Sequence, residues 1–113
     1  MKSLKPDIKT SQDLTAGDLD YTTIITKACK LDQILFKADV AITETITITL
    51  DAYAGATYDT VLKSISLVAQ SSYTFRPEGE LNLQAGDQLR IQCTNANTTG
   101  TLYVLGKVSE LGA

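Results

Sequence analysis

Apolar residues along this chain fall mostly at every second position. Between Glu80 and Thr94, Leu81 and Leu83 alternate with polar neighbours, Ala85-Gly86-Asp87 interrupts, and Leu89, Ile91 and Cys93 resume the alternation. A period of two puts one apolar set on one sheet face, so the stretch reads as strand, tight turn, strand. Gly86 supplies a positive φ at little cost and Asp87 bonds nearby backbone, which makes both structural turn residues. The cleanest strand runs from Glu44 to Tyr53, with Ile46, Ile48 and Leu50 on one face and Thr45, Thr47 and Thr49 on the other. Left on an open edge, such a strand invites aggregation, so pairing or cover is expected.

The remaining segments follow the same logic. Tyr21 to Ala28 is rich in β-branched residues, which favours strand. Lys30 to Ala38 alternates imperfectly, as a bulged or doubly buried strand would. The competing helix there is short and lacks caps. Asp39 to Thr43 reads as a loop. Thr60 to Ala69 places Val61, Ile65 and Leu67 in phase, and Ser71 to Pro77 places Tyr73 and Phe75 together. Pro77 ends that strand, having no N–H for the ladder. Thr101 to Glu110 carries Leu102 and Val104 on one face and Tyr103 and Leu105 on the other, the mark of an interior or covered strand. About eight short strands without a convincing helix predict an all-β fold, an antiparallel β-sandwich of jelly-roll-like type.

Residues 1–18 read as an N-terminal arm and 19–113 as the β-sandwich domain. The arm is polar, contains Pro6 and shows no sustained period. It is expected to be flexible in isolation, with Leu4, Ile8 and Leu14 available as anchors, and free to pack on a neighbouring subunit. Leu14-Thr-Ala-Gly-Asp-Leu19 echoes Leu83-Gln-Ala-Gly-Asp-Gln88, which reads as one turn chemistry used twice.

Composition narrows the chemistry. A chain of 113 residues fits one domain with one real core. The net charge is −3 and no Lys/Arg stripe appears, so direct nucleic-acid binding is not expected. Met1 to Thr10 has no apolar signal region, and no run approaches the ~18 apolar residues that span a bilayer. The chain has no histidine, which removes imidazole acid-base chemistry, His-dependent triads and His-ligated zinc. Cys29 and Cys93 lack metal-ligand spacing and read as small buried hydrophobes, with a disulfide between them as the alternative.

Asp51 and Asp59 flank the turn at 54–56, and Asp87 lies in another. Paired carboxylates can do acid-base work or hold calcium, but EF-hand spacing is missing and turn aspartates commonly serve the backbone. Tyr53 and Tyr58 bracket a turn, yet without tryptophan the case for a sugar platform is thin. No enzyme activity, cofactor or metal site is expected. The threonine row of Thr45, Thr47 and Thr49 is either a solvated face or a flat surface docked on another chain.

Three segments carry a family resemblance. They are Ile46-Thr-Ile-Thr-Leu-Asp-Ala, Ala56-Thr-Tyr-Asp-Thr-Val-Leu, and Phe75-Arg-Pro-Glu-Gly-Glu-Leu-Asn-Leu-Gln-Ala-Gly-Asp-Gln-Leu-Arg-Ile. In this order, within Tyr21 to Val108, they resemble small β-sandwich virion structural proteins of tailed bacteriophages. The resemblance implies a non-enzymatic head decoration or other accessory protein, made in the host cytoplasm and carried on the virion. It would act as a homo-oligomer, as a homotrimer for example, bound to the major capsid protein or a neighbouring virion protein, with no membrane partner. The interface residues expected on that reading are Thr45, Thr47 and Thr49, with Leu4 and Ile8 of the arm. The alternative is a carbohydrate-binding or receptor-binding β-sandwich module of a phage tail or fibre.

Overall fold

A computed structural model describes residues 8–53, 55, 57, 59–95 and 100–110. Within them the chain forms nine strands: β1 (Lys9–Asp13), β2 (Leu19–Ile24), β3 (Cys29–Ile42), β4 (Thr45–Asp51), β5 (Thr60–Ser66), β6 (Gln70–Phe75), β7 (Asn82–Leu83), β8 (Gln88–Cys93) and β9 (Thr101–Glu110). They make two antiparallel sheets. Sheet A has the order β1-β9-β3-β6, with β7 also paired to β3, and sheet B has the order β2-β8-β4-β5. Successive strands cross repeatedly between the sheets, as in a double-sheet jelly roll. The all-β sandwich read from the alternation is therefore the fold.

The core lies between the sheets and is built from the predicted apolar phase. Sheet B contributes Ile46, Ile48, Leu89, Ile91 and Cys93, and sheet A contributes Ile34, Phe36, Leu102 and Val104, all buried. Phe36 also meets Tyr73 across the β3–β6 pair, with ring centroids 5.9 Å apart. β4 is an interior strand, paired to β8 on one side and β5 on the other, so its exposed-edge hazard does not arise.

Two local expectations change and one becomes specific. The stretch from Asp39 to Ile42 is not a loop but the end of the 14-residue β3. Past Ala38 that strand loses its register with β9 and is held instead by the Ile42–Gln70 pair with β6. The irregularity foreseen in Lys30–Ala38 is a register shift between Leu31 and Gln33, where the extra Asp32 lets the strand bend. Val61 does not face the core and is 58% exposed. A second register shift, opposite Ile48 and Thr49, turns Leu62 inward in its place.

The segment read as an arm is partly sheet. Residues 1–7, including Leu4, lie outside the described residues. From Ile8 on, the chain packs: Lys9–Asp13 pairs with Thr101–Leu105, and Ile8 and Leu14 at its two ends are buried. Ile8 is thus a core residue of this chain rather than an exposed contact. Gly106 makes room for it. The Gly106 N–H donates to the Ile8 carbonyl at 2.7 Å, and a Cβ on Gly106 would lie 2.6 Å from the Ile8 Cβ. Gly106→Ala is therefore expected to pry β1 off β9. Hydrogen exchange should show lost protection at Thr10 and Gln12, whose N–H groups face β9 in this register, with β8 unaffected; full protection at Thr10 in the variant would contradict this packing.

Candidate functional site

Two of the three turn aspartates, Asp59 and Asp87, prove to be committed to backbone. Asp87 is buried, and its two carboxylate oxygens accept N–H bonds from Tyr53 and Gln84, both at 2.9 Å. Its own carbonyl accepts from Ile25 N–H at 2.7 Å, and Gly86 N–H donates to the Ile25 carbonyl at 2.7 Å. The Gly86-Asp87 turn thereby ties β8 to the ends of β2 and β4. Asp59 accepts the Ala52 N–H at 2.8 Å, while Asp51 stands opposite Gln88 across the β4–β8 pair. The structure does not gather Asp51, Asp59 and Asp87 into a ligand cluster, and among the described residues no group of three or more His, Cys, Asp or Glu side chains is placed to hold a metal.

A buried carboxylate missed by the sequence reading is Glu44. Its Oε1 accepts the Thr94 hydroxyl at 2.7 Å, and the Thr94 hydroxyl oxygen accepts Thr45 N–H at 3.0 Å. The Glu44 backbone carbonyl takes Leu67 N–H at 2.8 Å. This arrangement closes one end of sheet B and has a structural job. Nothing local in Thr-Glu-Thr signals it, because its partner Thr94 lies far along the chain.

The cysteines sit in opposite sheets. Cys29 pairs with Leu83 and Glu110 in sheet A, and Cys93 with Leu19 and Ile46 in sheet B. Both are buried and neither is in a disulfide. Burial pushes the Cys93 thiol up to about 12, with the Glu44 and Asp18 carboxylates adding to the effect. The unfolded chain releases this proton near 9.0, and the native state holds it until about 12, so stability falls as pH rises through that window. Unfolding free energy measured from about pH 8.5 to 10.5 is expected to decline, by at most about 1.4 kcal/mol per pH unit from this group. Cys93→Ala should flatten the slope; identical slopes would refute the assignment.

Three surface features remain. The outer face of sheet B presents Thr45, Thr47 and Thr49 in the middle, half-buried among polar neighbours. Register sets Thr47 between Gln92 and Ser64, and Thr49 between Arg90 and Val61. Arg90 and Asp20 form a bidentate pair at 2.9 and 2.8 Å, which holds the Asp20 carboxyl below its usual range through that hydrogen bond. The middle of this face is polar, its one arginine is already paired, and the exposed apolar residues Val61 and Ile24 stand on its edge strands.

The second feature is a cleft of about 700 Å³ where the edge strands β5 and β6 part, lined by Leu62, Lys63, Tyr73, Arg76, Glu78 and Glu80 among others. Lys63 occupies the core-side register position opposite Ile48 yet is exposed. An inward charge beside a bulge discourages another strand from pairing with this edge. Burial raises the Tyr73 hydroxyl above its ordinary range. Tyr53 is 77% exposed at the end of β4, and Tyr58 lies outside the described residues.

The third is the outer face of sheet A, where Leu105 stands beside Leu35, and Tyr103 beside Lys37. The two-sided apolar pattern of Thr101–Glu110 has its explanation here: β9 is interior to its sheet, with Leu102 and Val104 inward and Tyr103 and Leu105 outward.

No family model matches the chain, and neither does any curated protein sequence. Solved structures do. The crystal structure of PirA is similar over 93% of this chain and 89% of that one, at 14% identity and a TM-score of 0.51. The Drosophila NLP-core, described with pentamer formation and histone binding, is similar over 90% of this chain and 96% of that one, at 10% identity and a TM-score of 0.43. Infectious bursal disease virus Gx strain is similar over 95% of this chain and 30% of that chain, at 14% identity and a TM-score of 0.40. At such identities the PirA likeness speaks to the sandwich fold alone, and the two weaker likenesses add nothing to it.

Proposed function

We propose that this protein is a non-enzymatic structural component of a bacteriophage virion, a capsid decoration or other accessory protein that works through protein–protein contacts as a homo-oligomer. The observation that carries the reading is the strand order: β1-β9-β3-β6 over β2-β8-β4-β5 is a jelly roll, an architecture that recurs in viral capsid domains and in lectins. The ordered resemblance of Ile46–Ala52, Ala56–Leu62 and Phe75–Ile91 to phage virion proteins selects among those hosts. The polar side chains fit a building block, since Asp59 and Asp87 are spent on backbone and the sheets offer two broad faces. Copies seated between capsid subunits would add buried area to a shell under internal DNA pressure.

The test is direct. Light scattering should give a stable oligomer, and the protein should sediment with phage particles that lack it. A strict monomer that ignores both capsids and tails would refute the proposal. The alternative, a carbohydrate-binding or receptor-binding module, is favoured only by the β5–β6 cleft, where Tyr73 stands among polar groups. Binding on a glycan array, lost in Tyr73→Ala, would bring that reading forward.

A further inference from the structure

The outer face of sheet A differs from that of sheet B in both polarity and charge. Directly paired residues of an antiparallel sheet project on the same side. One row across the face is therefore Lys9, Leu105, Leu35 and Thr74, and the next is Ser11, Tyr103, Lys37 and Ser72. Leu35, Leu105 and Tyr103 form the apolar part of a groove of about 660 Å³. Tyr103 is 52% exposed.

Cations surround this centre. Lys9 and Lys37 lie in the two rows, Lys107 stands opposite Gln33 in the row beyond, and Arg76 reaches the same Gln33 at 3.1 Å. All four are exposed. Among the described residues Lys9, Lys37 and Lys107 make no ion pair. The carboxylates of this face stand at its ends and are engaged. Asp39 accepts Thr101 N–H at 2.8 Å, Asp13 accepts Thr15 N–H at 2.9 Å, and Asp32 meets Ser109 and Lys30. Among the described residues, an apolar centre is thus ringed by cations that make no ion pair, on a chain whose net charge is −3.

We propose that this face is the docking surface, and that its occupant is a virion protein presenting an apolar patch rimmed with carboxylates. The proposal rests on the virion reading above and names the surface and the partner chemistry within it. Charge decides between occupants. A second copy stacked about a two-fold axis would set cations against cations, a juxtaposition that costs several kcal/mol at an interface. A carboxylate rim neutralises the ring, while the leucines and Tyr103 supply the desolvated centre that carries affinity. The threonine face of sheet B has no such ring: Arg90 is already paired with Asp20 and has Asp51 nearby, and its exposed apolar residues, Ile24 and Val61, lie apart on the two edge strands rather than at a centre, which is Thr, Gln and Ser. The contact is therefore placed on the sheet opposite the one expected from Thr45, Thr47 and Thr49.

The experiment uses the full chain and particles of the phage that carries it, prepared without this protein. Bound protein is read by co-sedimentation. Three proteins are compared: wild type, Lys37→Glu/Lys107→Glu on sheet A, and Thr47→Glu/Gln92→Glu on sheet B, each checked for an unchanged melting transition. The sheet A variant is expected to bind at least about tenfold more weakly, the sheet B variant like wild type, and wild-type binding should weaken as salt is raised. Lys37→Gln/Lys107→Gln should fall between. If wild type does not bind particles at all, the virion reading fails and this inference with it. If wild type binds and the sheet A reversal changes nothing, or if only the sheet B variant loses binding, the surface assignment alone is overturned. An oligomer that Lys37→Glu/Lys107→Glu dissolves would make a second copy the occupant, which also overturns the proposal.

Discussion

Gly86→Val is expected to abolish folding. Gly86 has φ +97°, a region that costs an L-residue roughly 1–2 kcal/mol and a β-branched one more. Space is lacking as well. A Cβ at this position would lie 2.7 Å from Tyr53 Cδ1 and 2.8 Å from Tyr53 Cγ, and relieving such an overlap typically costs a further ~1–3 kcal/mol. The Gly86 N–H bond to the Ile25 carbonyl holds the turn against β2, so the backbone has little freedom to move aside. The two penalties sum to about 2–5 kcal/mol, and more for a β-branched residue, which reaches the lower end of the ~5–15 kcal/mol that stabilises a typical domain. Soluble yield and urea unfolding measure it, and retained wild-type stability would refute the account. Two milder variants separate the causes. Gly86→Ala should cost less in a Tyr53→Ala background than in wild type, by the amount owed to the ring; equal costs would leave backbone strain as the whole effect.

Asp87→Ala should be the next most damaging single change. The carboxylate accepts N–H bonds from Tyr53 and Gln84 and is only 7% exposed. Alanine leaves both donors without that acceptor, at about 1–3 kcal/mol for each donor left unsatisfied, so a loss of roughly 2–6 kcal/mol is expected. Asp87→Asn should recover part of it, because its amide oxygen can serve one donor while its amino group cannot serve the other. Urea midpoints give the loss, and amide exchange at Tyr53 and Gln84 locates it. An alanine variant within about 0.5 kcal/mol of wild type would remove Asp87 from its assigned role.

Both predictions fall on a turn that the sequence makes legible, and the reason is local. Leu81, Leu83, Leu89 and Ile91 state the phase within a few residues, and Gly-Asp names the turn chemistry between them. What the sequence hid depends on distant partners. Ile8 and Leu14 look like isolated apolar residues in a polar stretch, because the strand between them takes its register from Thr101–Leu105. Val61 reads as core by alternation, but a single extra residue in β5 exchanges it with Leu62. Glu44 gives no sign of burial until Thr94 is beside it.

The candidate surfaces divide in the same way. The row of Thr45, Thr47 and Thr49 is visible within one strand, and the structure does place it on one outer face. The cationic ring on sheet A is invisible because its members come from three strands and the residue that follows β6. Lys9, Lys37 and Lys107 are scattered through the chain and become neighbours only by register, and Arg76 joins them through Gln33. The one local hint was the outward pair Tyr103 and Leu105.

The placement of β9 between β1 and β3 also sets an order of events during synthesis. A ribosome makes β1 among the first strands and β9 last, yet β1 pairs only with β9. Until Thr101–Glu110 emerges, sheet A has no middle, β1 has no neighbour to pair with, and one whole side of β3 stands open. The earlier strands can assemble sheet B beforehand, since β2, β4, β5 and β8 all precede residue 94. Closure by long-range pairing of this kind is slow and leaves an aggregation-prone interval. Nascent chains that stop short of Thr101 should therefore be the ones that recruit chaperones, and emergence of β9 should end that recruitment.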